Sequence, residues 1–343
     1  MVESLIRLMW FIKNTMNKIF YIGGIILISL FLYQCKHAAG GIVSVFEHAV
    51  SPADNPITKE KVKLGRELFF DKRLSRDESI SCASCHLPEL AFTDGKVVSE
   101  GVGGLTTQRN SPSILNSAYL TTVMYDAHLP TLEQQVIVPI QEHVEMDMNM
   151  LDLITKMRGI PEYQNAAKNI FNREFDAYVL TRAISAYERT LISDNSAFDQ
   201  YYYQGNKKAI SNEAERGWKL FSERLYCTEC HPAPYFTTHE PINNGLYADY
   251  GEDKGRFRIF SDSMDIGQFK VPSLRNLELT GPYMHDGSLS TITDVINHYK
   301  GGGKGHRLQD ERIVPFEISD SQTQDLIAFL NALTDTTYMV DYR

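Results

Sequence analysis

The chain has 343 residues, 43% hydrophobic and 22% charged. That balance fits a folded protein of one large or two ordinary domains and excludes wholesale disorder, a collagen-like repeat or a polytopic membrane protein. Its 43 acidic side chains against 34 basic ones give a formal charge of −9, which argues against nucleic acid or an anionic membrane surface as the main partner.

The first feature in chain order is an export segment. Arg7, Lys13 and Lys18 precede an apolar run at 19–32 that is short for a membrane span and normal for the core of a signal peptide. The run ends in Leu32-Tyr33-Gln34-Cys35, similar to a loose lipobox, in which the cysteine is lipidated and becomes the mature N-terminus. A plain signal or anchor with an incidental Cys35 is the alternative reading, and either Met1 or Met16 serves as the start. Each version exports the rest of the chain.

The exported part contains a repeated unit. Ile57-Thr58-Lys59-Glu60 leads through Gly65 to Leu68-Phe69, ahead of a CASCH motif formed by Cys82, Cys85 and His86. Ile210-Ser211-Asn212-Glu213 leads through Gly217 to Leu220-Phe221, ahead of CTECH with Cys227, Cys230 and His231. Thr58 and Ser211 suit helix N-caps, and the apolar spacing after each predicts a helix with one buried face. Between the two units, Phe175, Val179, Leu180, Ala183, Ile184, Tyr187 and Leu191 share one side of a predicted helix. A polar stretch at 203–208 follows and is the expected domain boundary. A last helix near 323–333 is expected to bury Leu326, Ile327, Phe329 and Leu330. Strand-like alternation is scarce, so the expectation is a mainly α fold. It divides into a signal segment at 1–35, a domain at 36–200 and a domain at 201–343.

The CxxCH spacing carries the chemistry. Two thiols three positions apart each add to a vinyl group of one haem, and the adjacent histidine ligates its iron from the same turn. Zinc is the competing use, but zinc half-sites usually pair within about 20 residues, and 145 positions separate His86 from His231. Export also favours haem. Two covalently bound c-type haems are therefore expected, with His86 and His231 as iron ligands.

The stretches CASCHLPELAFTDG, RNSPSILN at 109–116, LEQQVIVPIQEHVEM at 132–146 and FKVPSLRNLELTGPYMHDG at 269–287 occur in that order. Together they resemble the bacterial di-haem cytochrome c peroxidases, a family that includes MauG-like enzymes oxidising protein substrates. The resemblance implies two cytochrome c-like helical domains related by internal duplication. The N-terminal domain handles peroxide, and the C-terminal one accepts electrons from a small donor protein such as a cytochrome c or cupredoxin.

Carried over by position, the resemblance puts Gln135, Pro139 and Glu145 on the distal side of the first haem. There Glu145 would serve as acid and base for splitting peroxide, Gln135 would orient peroxide or water, and Pro139 would shape the pocket. The bland alternative is that Glu145 is a solvated helix residue. Asn110, through its side chain, and Thr280 and Pro282, through their carbonyls, match a calcium site between the domains. His285 matches a histidine near the second haem, contacting propionates or iron-coupled waters.

Three positions depart from the family pattern. Val102 stands sixteen residues after His86, where many relatives carry a histidine that blocks the first iron, so an open five-coordinate haem is expected. Tyr125 replaces the usual tryptophan between the haems and either relays electrons, through a phenoxyl radical, or merely packs. Tyr299 takes the sixth-ligand position of the second haem, which is methionine in typical peroxidases and tyrosine in MauG-like enzymes. Ile292, Val295, Ile296 and Tyr299 share a helical face, while His298 points about 100° away; Met284 and His298 are the competing ligands.

These readings combine into a periplasmic, optionally Cys35-tethered di-haem peroxidase that reduces hydrogen peroxide to water. The alternatives are a MauG-like oxidase of another protein and a non-catalytic di-haem electron carrier. A homodimer is compatible with all three.

Overall fold

A computed structural model describes residues 44–46 and 51–342. The export segment, with Cys35, lies outside the described residues. The described part is rich in helix, and its strand is confined to the two-residue pair β1 (Pro241–Ile242) and β2 (Phe269–Lys270), which run antiparallel. No helix among the described residues is long and apolar enough to cross a membrane.

Two hydrophobic cores organise the chain. The first gathers Leu64, Leu68 and Phe69 of α1 (Lys59–Phe69) and Ile140 of α3 (Ile137–Gln141), which follows α2 (Leu132–Gln135). It continues through Leu153 and Met157 of α4 (Met150–Arg158), Ala167 of α5 (Pro161–Phe171), and Val179, Ala183 and Tyr187 of α6 (Ala177–Glu188), and its last member is Leu191. The second starts with Phe198 on α7 (Ala197–Tyr202), which precedes α8 (Asn212–Lys219). It then takes in Phe221, Phe236, Ile296 of α9 (Ile292–Lys300), and Leu326, Phe329 and Leu330 of α10 (Asp320–Asn331). The exposed polar residues 203–208 follow α7 and so come after the change of core.

Each core is built on one close helix pair, and a glycine sets the approach in both. A Cβ on Gly65 of α1 would stand 1.9 Å from the Ala183 carbonyl oxygen of α6, and one on Gly217 of α8 would stand 2.0 Å from that of Asp325 on α10. Thr58 caps α1 by accepting from the Lys61 N–H, and Ser211 caps α8 by accepting from that of Ala214, as their positions predict.

The segment after each CxxCH is anchored in the same way. Asn116 and Asn276 both adopt the left-handed conformation, with φ of 60° and 59°, where asparagine is tolerated better than most residues. Asn116 donates from its main chain to Leu191 (2.8 Å) and from its amide to the Ser193 carbonyl (2.9 Å). Asn276 donates to Leu333 (3.3 Å) and to the Ser193 hydroxyl (2.7 Å), so both anchors meet at Ser193.

The last helix differs from its expected outline. It begins earlier, at Asp320, because Ser319 and Gln322 form a reciprocal capping box. Ile327 is only half-buried, and the fully inward position goes to Asp325, whose two oxygens accept from Arg216 at 2.9 and 2.7 Å. An ion pair with α8 thus occupies part of the face that hydrophobic periodicity assigns to the core.

Candidate active site

The two CxxCH motifs lie in one-turn helical segments that turn their histidines the same way. His86 Nδ1 lies 2.9 Å from the Phe92 carbonyl, and His231 Nδ1 lies 2.9 Å from that of Phe236. A carbonyl only accepts, so Nδ1 is the donor in each ring and Nε2 is left with its lone pair, the form that binds iron. Burial holds both imidazoles below their usual pKa and so keeps them neutral. The Ser111 hydroxyl fixes the first turn by donating to the Cys85 carbonyl (2.9 Å).

Cys82, Cys85, Cys227 and Cys230 form no disulfide among the described residues, and burial pushes each of these thiols up, Cys85 to about 11 and Cys227 to about 12. Among the described residues no group of three His, Cys, Asp or Glu side chains can hold a metal ion, as a zinc site would require. Two protonated thiols and one oriented imidazole per motif fit a covalently attached haem.

Near the first motif, whose cysteines feel the charge of Glu145, Pro139 disturbs the helix. Proline has no N–H to give the carbonyl four residues back, which is that of Gln135, and the helical run divides there into α2 and α3. The chain then doubles back. Met146 donates to the Pro139 carbonyl (3.1 Å) and Met148 to that of Ile140 (2.8 Å), which brings Glu145 alongside Pro139. Burial, and secondarily the neighbouring Glu142, raise the Glu145 carboxyl to about 7. A group balanced between its two protonation states at neutral pH suits proton transfer in both directions.

Val102, 0% exposed, closes over this site from the other side. Its N–H donates to the Glu145 carbonyl (2.9 Å), and the preceding Gly101 lies so close that a Cβ there would meet the Val144 and Glu145 carbonyls at 2.1 and 2.6 Å. The loop position that holds a histidine in many relatives is thus packed as hydrophobic core against the main chain of Glu145.

At the second motif, Tyr299 and Met284 converge. The Asn244 amide lies 3.4 Å from the Tyr299 hydroxyl and 3.4 Å from the Met284 sulfur. His298 turns away, with Nε2 3.1 Å from the Asn244 carbonyl. Burial raises the Tyr299 phenol, and the Asn244 hydrogen bond opposes that rise.

The two halves meet through equivalent main-chain bonds, Asn110 N–H to the His285 carbonyl (2.8 Å) and Lys270 N–H to the Tyr125 carbonyl (2.7 Å). His285 is buried with its ring stacked on Phe269, centroids 3.8 Å apart. Tyr125 lies under the guanidinium of Arg109, which pairs with Asp253 at 2.7 and 2.6 Å. The Asn110 amide donates to the Lys96 carbonyl (2.7 Å), and among the described residues no donor reaches its Oδ1 or the carbonyls of Thr280 and Pro282.

Comparison with known proteins shows the family. The family described as di-haem cytochrome c peroxidase matches residues 59–208. The methylamine utilization protein MauG of Methylorubrum extorquens is 39% identical over 292 residues, covering 84% of this chain and 82% of that protein. The chain belongs to the di-haem cytochrome c peroxidase family. Another of its members, the cytochrome-c peroxidase IdrP1 of Denitromonas iodatirespirans, is 35% identical over 324 residues, covering 84% and 85%. Among solved structures, a MauG-like protein associated with microbial copper homeostasis superposes with a TM-score of 0.81 at 33% identity, covering 88% of this chain and 97% of that one. Membership makes the chain an oxidoreductase and implies two c-type haems.

Several contacts of this family member escaped sequence reasoning. Phe92 and Phe236 act through their carbonyls, which no residue type advertises, although a phenylalanine a few positions after each CxxCH was a usable signal. Asn244, Asp253 and the role of Arg109 depend on contacts between residues far apart in sequence.

Proposed function

We propose that this protein is a di-haem peroxidase reducing hydrogen peroxide to water with electrons from a small donor protein. The observation that carries the reading is Glu145, a carboxyl poised near neutral pH beside the buried Val102. Cys82 and Cys85 hold one haem with His86 as iron ligand, and Cys227 and Cys230 hold the other with His231. When bound, the haems supply the redox equivalents that peroxide reduction requires. Glu145 takes the proton from one peroxide oxygen and delivers it to the other as the bond between them breaks. Gln135 orients the peroxide, Pro139 keeps the pocket open by breaking the helix, and Val102 leaves the first iron without a blocking side chain.

On the same reading, the chain forms two cytochrome c-like domains derived from one duplicated unit, and the boundary expected after residue 200 moves to near 192–196 because Phe198 packs in the second core. The paired glycines, caps and asparagine anchors support this descent. Asn110, Thr280 and Pro282 hold calcium between the domains, and His285 contacts the second haem or its waters. The signal segment places the enzyme in the periplasm, with Cys35 available as a lipid tether.

Steady-state peroxide consumption with a reduced small cytochrome c or cupredoxin as donor tests the reading. Turnover is expected; no oxidation of any such donor, with both haems attached, would reject it. A second reading, oxidation of a protein substrate as in MauG-like enzymes, is favoured by Tyr299, whose hydroxyl shares the Asn244 amide with Met284. A pure electron carrier is disfavoured, because it has no use for a poised carboxyl at an unblocked iron.

A further inference from the structure

The seam between the two halves contains a continuous stack. Tyr125 lies under the Arg109 guanidinium at 6.0 Å, Arg109 lies over Phe269 at 5.2 Å, and Phe269 stacks on His285 at 3.8 Å. Arg109 and Tyr125 come from the first half, Phe269 and His285 from the second.

Arg109 is fixed in this stack by charge. It is 14% exposed, donates to both oxygens of Asp253, and pairs at 3.0 Å with Asp126, which is 0% exposed. The other Asp126 oxygen accepts from Arg258 (3.0 Å), and the Asp126 and Ala127 carbonyls accept from Arg256 (3.0 Å each). Asp253 and Asp126 are therefore each paired with arginine, and Asp286, whose charge also reaches Tyr125, accepts from the Tyr247 hydroxyl.

A tyrosine can act in electron transfer in two ways. As a radical stop it loses one electron and its phenolic proton, and the proton must pass to a base. As a medium it stays a neutral phenol, and no bond forms or breaks. A cation at the face of the ring opposes removal of an electron, and carboxylates held by arginine make poor bases. We infer that Arg109 is a positioning residue that keeps Tyr125 reduced, so that electrons cross the seam through Tyr125 without its becoming a radical. This inference rests on the peroxidase reading above and replaces the phenoxyl relay that the sequence alone suggests.

The test is freeze-quench electron paramagnetic resonance of the holoprotein mixed with hydrogen peroxide, with Tyr125→Phe identifying the signal. The wild type is expected to show no tyrosyl signal that depends on Tyr125. Arg109→Gln leaves Asp253 and Asp126 able to accept a proton and should raise a Tyr125-dependent signal at least about fivefold above background, whereas Arg109→Lys, which keeps the charge, should not. Should Arg109→Gln not fold, Arg258→Gln, at a half-exposed side chain, frees one Asp126 oxygen and should raise a smaller signal. Adding Asp126→Asn to the Arg258→Gln variant should abolish it.

A merely structural role would not make the effects follow the sign of the charge. A Tyr125 radical in the wild type, its absence in the folded charge-removing variant, or equal effects of opposite charge changes would overturn the inference. If the haem spectra do not respond to peroxide at all, the peroxidase reading has failed independently. The same variants can then be oxidised with a flash-quenched ruthenium polypyridyl complex and persulfate, and the same ranking is expected.

Discussion

The two halves share a scaffold and differ at the positions proposed to face the two irons. Each has a capped helix crossing a partner at a glycine, a CxxCH turn, a histidine oriented by a phenylalanine carbonyl and a left-handed asparagine bonded to Ser193. Beside this frame the first half has a helix that divides at Val136, three residues before Pro139, a Glu145 carboxyl raised to about 7 and the buried Val102. The second has an unbroken helix, α9, that presents Tyr299 beside Asn244 and Met284. The difference teaches that the proximal frame is reusable, whereas the distal side chains divide the work.

The largest expected break in this comparison is Glu145→Gln. Glutamine keeps the shape but loses the titratable proton, so peroxide cleavage should slow by at least about 100-fold with the resting spectrum nearly unchanged. Stopped-flow mixing with peroxide measures it, and equal rates would return Glu145 to a structural role. The shared scaffold predicts similar losses in both halves from Gly65→Ala and Gly217→Ala, each about 1–3 kcal/mol of stability, since a Cβ in either place overlaps a carbonyl. Chemical denaturation of the two variants checks this, and a large loss in only one would show that the crossings are not equivalent.

Tyr299→Met separates the halves again. Thioether favours ferrous iron where phenolate opposes it, so the midpoint potential of the second haem alone should rise. Unchanged potentials would remove Tyr299 as a ligand. The smallest effect is the pH profile of the wild type. A base must be deprotonated to act, and the Glu145 carboxyl is raised to about 7, so the peroxide rate should climb as pH rises through 7 and level off above it. The oxidised protein should also show one high-spin haem and react with peroxide without prior reduction, because Val102 cannot ligate iron.

Much of this was legible in the sequence. Capping residues, the helix face from Phe175 to Leu191 and both CxxCH motifs are local patterns, and local patterns follow from backbone geometry within a few residues. The departures at Val102, Tyr125 and Tyr299 were equally visible as residue types. The half-buried Ile327 and the inward Asp325 were not, because Arg216 lies on a different helix and periodicity sees only one helix at a time.

What the sequence determined by itself was therefore the helical class, the family and the inventory of reactive side chains, each encoded over short spans. Only the tertiary structure decided which groups work on which. It set His298 against the Asn244 carbonyl and Tyr299 against the Asn244 amide, packed Val102 onto the Glu145 main chain, and set Arg109 over Tyr125. The reason is physical: burial, charge pairing and ring stacking depend on distances through space, and residues such as Tyr125 and Phe269 are brought together only when the two cores close against each other.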